Sequence, residues 1–154
     1  MRESLRGLFL TATILVCSAT LWSADSLFVG TWKFNQDKSK PGDLSATIKF
    51  EALPPNGIKF TRDIIEAPGN PAHWEWSGQF DGNDNQFTGS PNYDGISLKR
   101  FDDRTLVATN KKGGKVMTTA WYCVSKDGKA LAVTTAGVNT QGREVVFYSV
   151  YDKQ

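Results

Sequence analysis

The chain has 154 residues, 18 of them Lys or Arg and 16 Asp or Glu, giving a formal net charge of +2. That is one domain's worth of polymer without the basic surface that nucleic-acid binding requires, so no nucleic-acid partner is expected. A hydrophobic content of 40% is enough for a core, while one His and two Cys leave little material for a zinc site or a disulfide framework. In chain order, the first element is Met1 to Leu21. Arg2 and Arg6 open it, and Gly7 to Leu21 follows without a charge. A charged start, about 15 apolar residues and small residues beyond describe a secretory signal peptide. The stretch is shorter than the roughly 20 apolar residues of a permanent membrane helix, so no integral span is expected. Trp22 is bulky for the position two before Ala24, and Ala19 with Cys17 offers better small residues but leaves an odd leftover; cleavage near Ala24 is favoured. Ile14-Leu-Val-Cys17 resembles a lipoprotein box, but Val16 is large for the position before a lipidated Cys, and a lipid anchor is the less favoured outcome. The expectation is a signal peptide over residues 1–24 and one folded domain over 25–154, exported to a periplasmic or extracellular space. Cleavage would leave Cys123 as a lone Cys, expected to be a buried small hydrophobe.

From Phe28 onward the pattern alternates in period two, with turn signals at short spacing. Phe28–Phe34 puts Phe28, Gly30, Trp32 and Phe34 on one face. Ala46–Ala52 and Ile58–Ile64 follow, separated by Pro54-Pro-Asn-Gly57, in which Asn-Gly is a hairpin dipeptide. His73–Phe80 sets Trp74, Trp76, Gly78 and Phe80 against His73, Glu75, Ser77 and Gln79. A short Gln86–Gly89 piece precedes Gly95–Phe101, Thr105–Asn110, Lys115–Val124, Lys129–Val138 and Arg143–Tyr151. No segment carries a sustained helical period. Eight to ten strands joined by short hairpins form a meander, and closing it into an all-β, up-and-down antiparallel barrel removes both sheet edges.

The apolar parity would line the interior, and a barrel of this strand number has room for a small ligand. Phe50, Phe60, Trp74, Trp76 and Phe80 are the expected cavity walls. Two cations, Arg62 and Arg100, fall on the same parity and are candidates to grip the anionic head of an apolar ligand. The alternative places both at the rim, their stems covering apolar surface and their heads in water. His73 and Glu75 share a strand face at a spacing that suits two metal ligands, but no third ligand accompanies them, so a solvated outer face and no metal are expected. Cys123 and His73 could act as nucleophile and base only through accidental proximity. No phosphate loop, nucleophile elbow or paired-carboxylate motif occurs, so neither an enzyme nor a cofactor is expected.

Phe28-Val-Gly-Thr-Trp-Lys-Phe34 resembles the Gly-x-Trp opening of the lipocalin and fatty-acid-binding-protein superfamily. The resemblance implies that Trp32 plugs the closed end of the barrel, with Gly30 allowing a tight approach beside it. The chain departs from fatty-acid-binding proteins in having no room for two helices between Asn35 and Leu44, and in lacking their terminal Arg-x-Tyr pair. It departs from lipocalins in lacking a C-terminal helix and a disulfide. It is more similar to small exported bacterial lipocalin-like barrels, which read Phe-Val-Gly-Thr-Trp-Lys-x-Asn followed by Lys-Ser-Lys, as in Phe28–Asn35 and Lys38–Lys40, and share Leu98-Lys-Arg100 and Lys111-Lys-Gly-Gly114. That likeness implies the barrel and its export and says little about a ligand; the aromatic density on the inward parity makes a carrier of a small apolar or amphipathic ligand the first reading. The competing reading is a filled barrel that binds or inhibits a protein through its surface, with Asp81–Asn85 and Ser90–Tyr93 as contact loops.

Overall fold

The computed structural model describes residues 26–40, 43–66 and 69–154. The expected signal peptide and its cleavage point lie outside these residues. Ten strands are described: β1 (Gly30–Asn35), β2 (Asp43–Leu53), β3 (Gly57–Glu66), β4 (Asn70–Gln79), β5 (Asp84–Thr88), β6 (Gly95–Asp102), β7 (Thr105–Lys112), β8 (Lys115–Val124), β9 (Ala130–Val138) and β10 (Glu144–Lys153). Each pairs antiparallel with its sequence neighbours, and β10 returns to β1, with Trp32 opposite Lys153 and Phe34 opposite Tyr151. The result is a closed up-and-down barrel. A short 3-10 helix, Gln36–Lys38, follows β1 and is capped by the Asn35 side chain accepting from the Lys38 N–H.

Alternation decides which residues enter the interior. Ile48 and Phe50 on β2, Ile58, Phe60 and Ile64 on β3, Trp76 on β4, Ile96 and Leu98 on β6, and Leu131 on β9 are all buried. The same parity continues through Leu106 and Ala108 on β7 and Ala120, Tyr122 and Val124 on β8. Cys123 lies between Tyr122 and Val124 and therefore faces out. It is exposed, opposite Ala132 and Thr105, which corrects the expectation that it is a buried hydrophobe. The β2–β3 connection also differs from the expected Asn-Gly turn: Gly57 pairs with Leu53 inside the strand, and the Pro54-Pro55 peptide is cis.

The two ends of the barrel are unlike. At the end where the chain enters β1, Trp32 is wholly buried, its indole N–H donates to the Phe28 carbonyl at 2.8 Å, and Lys153 Nζ lies 4.9 Å from its ring centre. Gly30, at φ +132°, takes a backbone conformation that favours glycine, and what packs beside it is the Lys153 side chain. Trp32, buried beneath Lys153, thus fills the plugged end. The opposite end carries the connections after β1, β3, β5, β7 and β9, and a cavity opens there.

Candidate functional site

An aromatic layer fills the middle of the barrel. Phe60 stacks on Trp76 with ring centres 4.7 Å apart and planes 7° from parallel. Phe50 meets Phe60, Trp76 and Tyr122 edge-on or tilted at 5.4–6.2 Å. Such offset and edge contacts are the favourable aromatic geometries, so this layer is a packed floor. Above it lies a cavity of about 400 Å³. Phe60 and Tyr122 contribute its floor, Trp74, Phe87 and Tyr93 one wall, and Val133 and Thr135 the other. Phe87 joins Trp74 and Tyr93 in a chain of ring contacts at 6.0 and 5.6 Å. Lys40, Asn92, Val146 and Phe147, all exposed, form the rim. Phe147 has inward parity on β10 yet is 52% exposed, because it stands where the barrel wall ends.

Arg62 is the cation of this site. It lies opposite Trp74 and Ile48 in the register, and its guanidinium carbon is 4.9 Å from the Trp74 ring centre. An aromatic face stabilises a partly desolvated guanidinium, and Arg62 lines the cavity beside Trp74. Burial pushes the Tyr122 phenol above its ordinary range, the Arg62 charge pulling weakly the other way. Tyr122 is therefore a neutral hydroxyl at physiological pH. Two further polar side chains sit on the interior parity, Asn110 and Thr118, which are 5% and 1% exposed.

Of the residues expected to wall a cavity, Phe60, Trp74 and Arg62 line it. Phe50 and Trp76 do not: they are 1% and 2% exposed within the aromatic layer, where ring packing has consumed the space a ligand would need. Phe80 is partly buried against the core at the plugged end, its N–H donating to the Asn56 carbonyl. Arg100 is corrected as well. Its Nε donates to the Asp102 carbonyl and a terminal nitrogen to Asp103 Oδ1 at 2.7 Å, which holds it in the β6–β7 turn away from the cavity. Tyr122, Tyr93, Asn110, Thr118 and the β10 residues 146–149 escaped the sequence reading. Unbroken alternation through Leu106-x-Ala108-x-Asn110 and Thr118-x-Ala120-x-Tyr122 was the available signal for three of them.

The outer face holds the polar cluster anticipated around His73. Asp63 Oδ1 lies 2.7 Å from His73 Nδ1, Glu75 Oε2 lies 3.8 Å from Nε2, and Lys59 pairs with Glu75 at 3.2 Å. The hydrogen bond to Asp63 raises His73 above its ordinary 6.5, with Glu75 contributing in the same sense. The two expected contact loops diverge. At Asp81–Asn83 the Asp81 carboxylate caps the Asn83 N–H, whereas Tyr93 folds inward and becomes cavity wall.

No protein-family model matches the chain, and no curated protein matches it. Among solved structures, it is similar to a point mutant of the fluorescent protein UnaG, with 16% identity and a TM-score of 0.57 over 83% of this chain and 96% of that one. A redesigned β-barrel, mFAP1, bound to DFHBI, aligns over 85% of this chain and 98% of its own, with 12% identity and a TM-score of 0.46. The first likeness shows the fold, a closed ten-stranded antiparallel barrel.

Proposed function

We propose that this chain is an exported carrier that holds one small amphipathic molecule inside its barrel. The observation that carries the reading is the division of the interior. Aromatic side chains fill the plugged half, while the other half keeps a cavity of about 400 Å³ with a guanidinium set into an aromatic wall. That volume falls in the range of small-molecule sites, and an apolar lining with a few polar groups is their usual composition. A barrel built only as a scaffold has no need of this space, because larger side chains at Ala120 or Val133 would fill it. Arg62 is the anchor for an anionic or carbonyl oxygen, and Trp74, Phe60 and Tyr122 supply the surface against which a ring lies. Binding, and not catalysis, is the proposed role.

Native mass spectrometry of protein purified without detergent tests it. The expected result is an added mass of a few hundred daltons that disappears on denaturation. Titration with an anionic aromatic probe such as 1-anilinonaphthalene-8-sulfonate should also change the emission of Trp74. A bare polypeptide mass together with an unmoved Trp signal would overturn the carrier reading. Export rests on residues 1–24 and is tested by fractionation, which should recover outside the cytoplasm a chain beginning near Asp25.

A further inference from the structure

Two neutral polar residues sit deep in the interior, facing each other across the β7–β8 ladder, where Asn110 lies opposite Thr118. The Asn110 amide Nδ2 donates to Thr118 Oγ1 at 3.0 Å, and that hydroxyl donates to the Tyr93 hydroxyl at 3.1 Å. Thr118 is thereby used both as acceptor and as donor. The remaining group is the Asn110 carbonyl oxygen, which is buried and has no hydrogen-bond partner among the described residues. A buried acceptor left unmade is costlier than an apolar side chain of the same shape, so each such atom calls for a reason. Holding Tyr93 in place is not that reason, because Thr118 does so alone. Asn110 lines the cavity, and a bound molecule is the partner still to come.

Across the barrel, on β3 and β4, the complementary groups are donors. Arg62 is a cation, and the buried indole N–H of Trp74 also finds no acceptor among the described residues. Asn110 stands on β7, four strands round the ten-stranded ring from Arg62 on β3 and three from Trp74 on β4, so the cavity lies between donors on one part of its wall and an acceptor on another. Resting on the carrier reading above, we infer that Asn110 determines specificity by accepting a hydrogen bond from the ligand, which is a compact, flat aromatic molecule with an anionic or carbonyl oxygen at one end and an O–H or ring N–H at the other. A plain fatty acyl chain would offer its carboxylate to Arg62 but nothing to Asn110.

A matched pair of fluorescent probes tests this: 6-hydroxy-2-naphthoate and 6-methoxy-2-naphthoate. They share ring, size and carboxylate and differ in one donor. The wild-type protein should bind the hydroxy compound about tenfold more tightly, the effect of one buried hydrogen bond. Asn110→Leu should bring the two affinities together, whereas Arg62→Leu should weaken both and keep their ratio. Equal affinity of the wild-type protein for the two probes overturns the inference without requiring any variant to fold, and so does a preference that survives Asn110→Leu. If neither naphthoate binds, this inference is overturned; if in addition the anilinonaphthalene probe leaves the Trp signal unmoved and the polypeptide mass is bare, the carrier reading falls with it. If both naphthoates bind equally, the carrier reading stands and only the role of Asn110 is lost.

Discussion

Arg62 lies against an indole face inside the barrel, and this arrangement fixes what its replacement does. Desolvating the guanidinium opposes folding, while the Trp74 contact offsets part of that cost. Arg62→Leu is therefore expected to change the unfolding free energy by no more than about 1 kcal/mol in denaturant titration. The same variant should lose about tenfold in affinity for an anionic probe, so stability and binding separate at one position. On the outer face, His73 is raised above 6.5 by Asp63. A folded value above the unfolded one means that the protonated pair contributes stability fully present below about pH 6.5, lost as the pH rises through the folded value. Titration of the His73 ring by NMR should show a midpoint above 6.5, returning towards it in Asp63→Asn. Cys123 is exposed and should react with a thiol reagent in the native protein at the rate seen in denaturant, within an order of magnitude. Arg62 was legible in the sequence because a charge interrupts an apolar parity. Arg100 carried the same signal, but its place at the end of its strand already favours the rim, and the carboxylate and carbonyl of its own turn hold it there. Asn110 and Thr118 carried only the parity they share with Ala108 and Ala120, a weaker signal, since polar residues on a strand read as outward until the register of β7 and β8 is known.

The strands were readable because alternation and turn residues coincide along most of the chain, as in His73–Gln79 and its neighbours. For Cys123 parity outweighs composition: Tyr122 and Val124 point inward and decide its side. Pairing strength varies around the ring in a way the pattern could not convey. β3 meets β4 along its whole length from Gly57 to Glu66, whereas β5 meets β4 only at Glu75–Thr88 and Trp76–Phe87. Few shared hydrogen bonds make an opening-prone element. Hydrogen exchange is expected to be fastest, among the interior strands, at the amides of Asp84–Thr88 and slowest along β3. Gly137 on β9 marks the contrary case, a close approach. Its φ is +151°, and a Cβ there would overlap the Met117 carbonyl and Thr118 of β8. Gly137→Ala should cost roughly 1–3 kcal/mol in chemical denaturation, by separating the strand pair that carries Thr118.

The molecule as a whole is packed at one end and hollow at the other. Size, closure and strand number were open to a reading of the sequence, but the boundary between packed and hollow was not, because Phe50, Phe60, Trp74 and Trp76 share one parity. Only their height along the barrel, set by stagger between strands, sorts floor from wall. Ala120 sits at this boundary, buried and lining the cavity. Ala120→Leu should occupy part of the space, abolish probe binding and leave the thermal midpoint unchanged or higher, since it adds apolar contact where no atom stood. At the plugged end Trp32→Ala should cost about 3–5 kcal/mol, the range for a large aromatic removed from a core. The same end gathers both ends of the described chain: the Gln154 N–H donates to the Thr31 carbonyl, and Lys153 Nζ donates to that of Leu27. Head and tail therefore leave the barrel side by side, at the pole remote from the rim of Lys40, Asn92 and Phe147. A reporter or surface linker fused after Gln154, or in place of the residues before Ser26, would leave the entrance facing the solution. A circular permutant that joined the termini and reopened the chain at the Lys126-Asp127-Gly128 turn would keep the entrance intact as well.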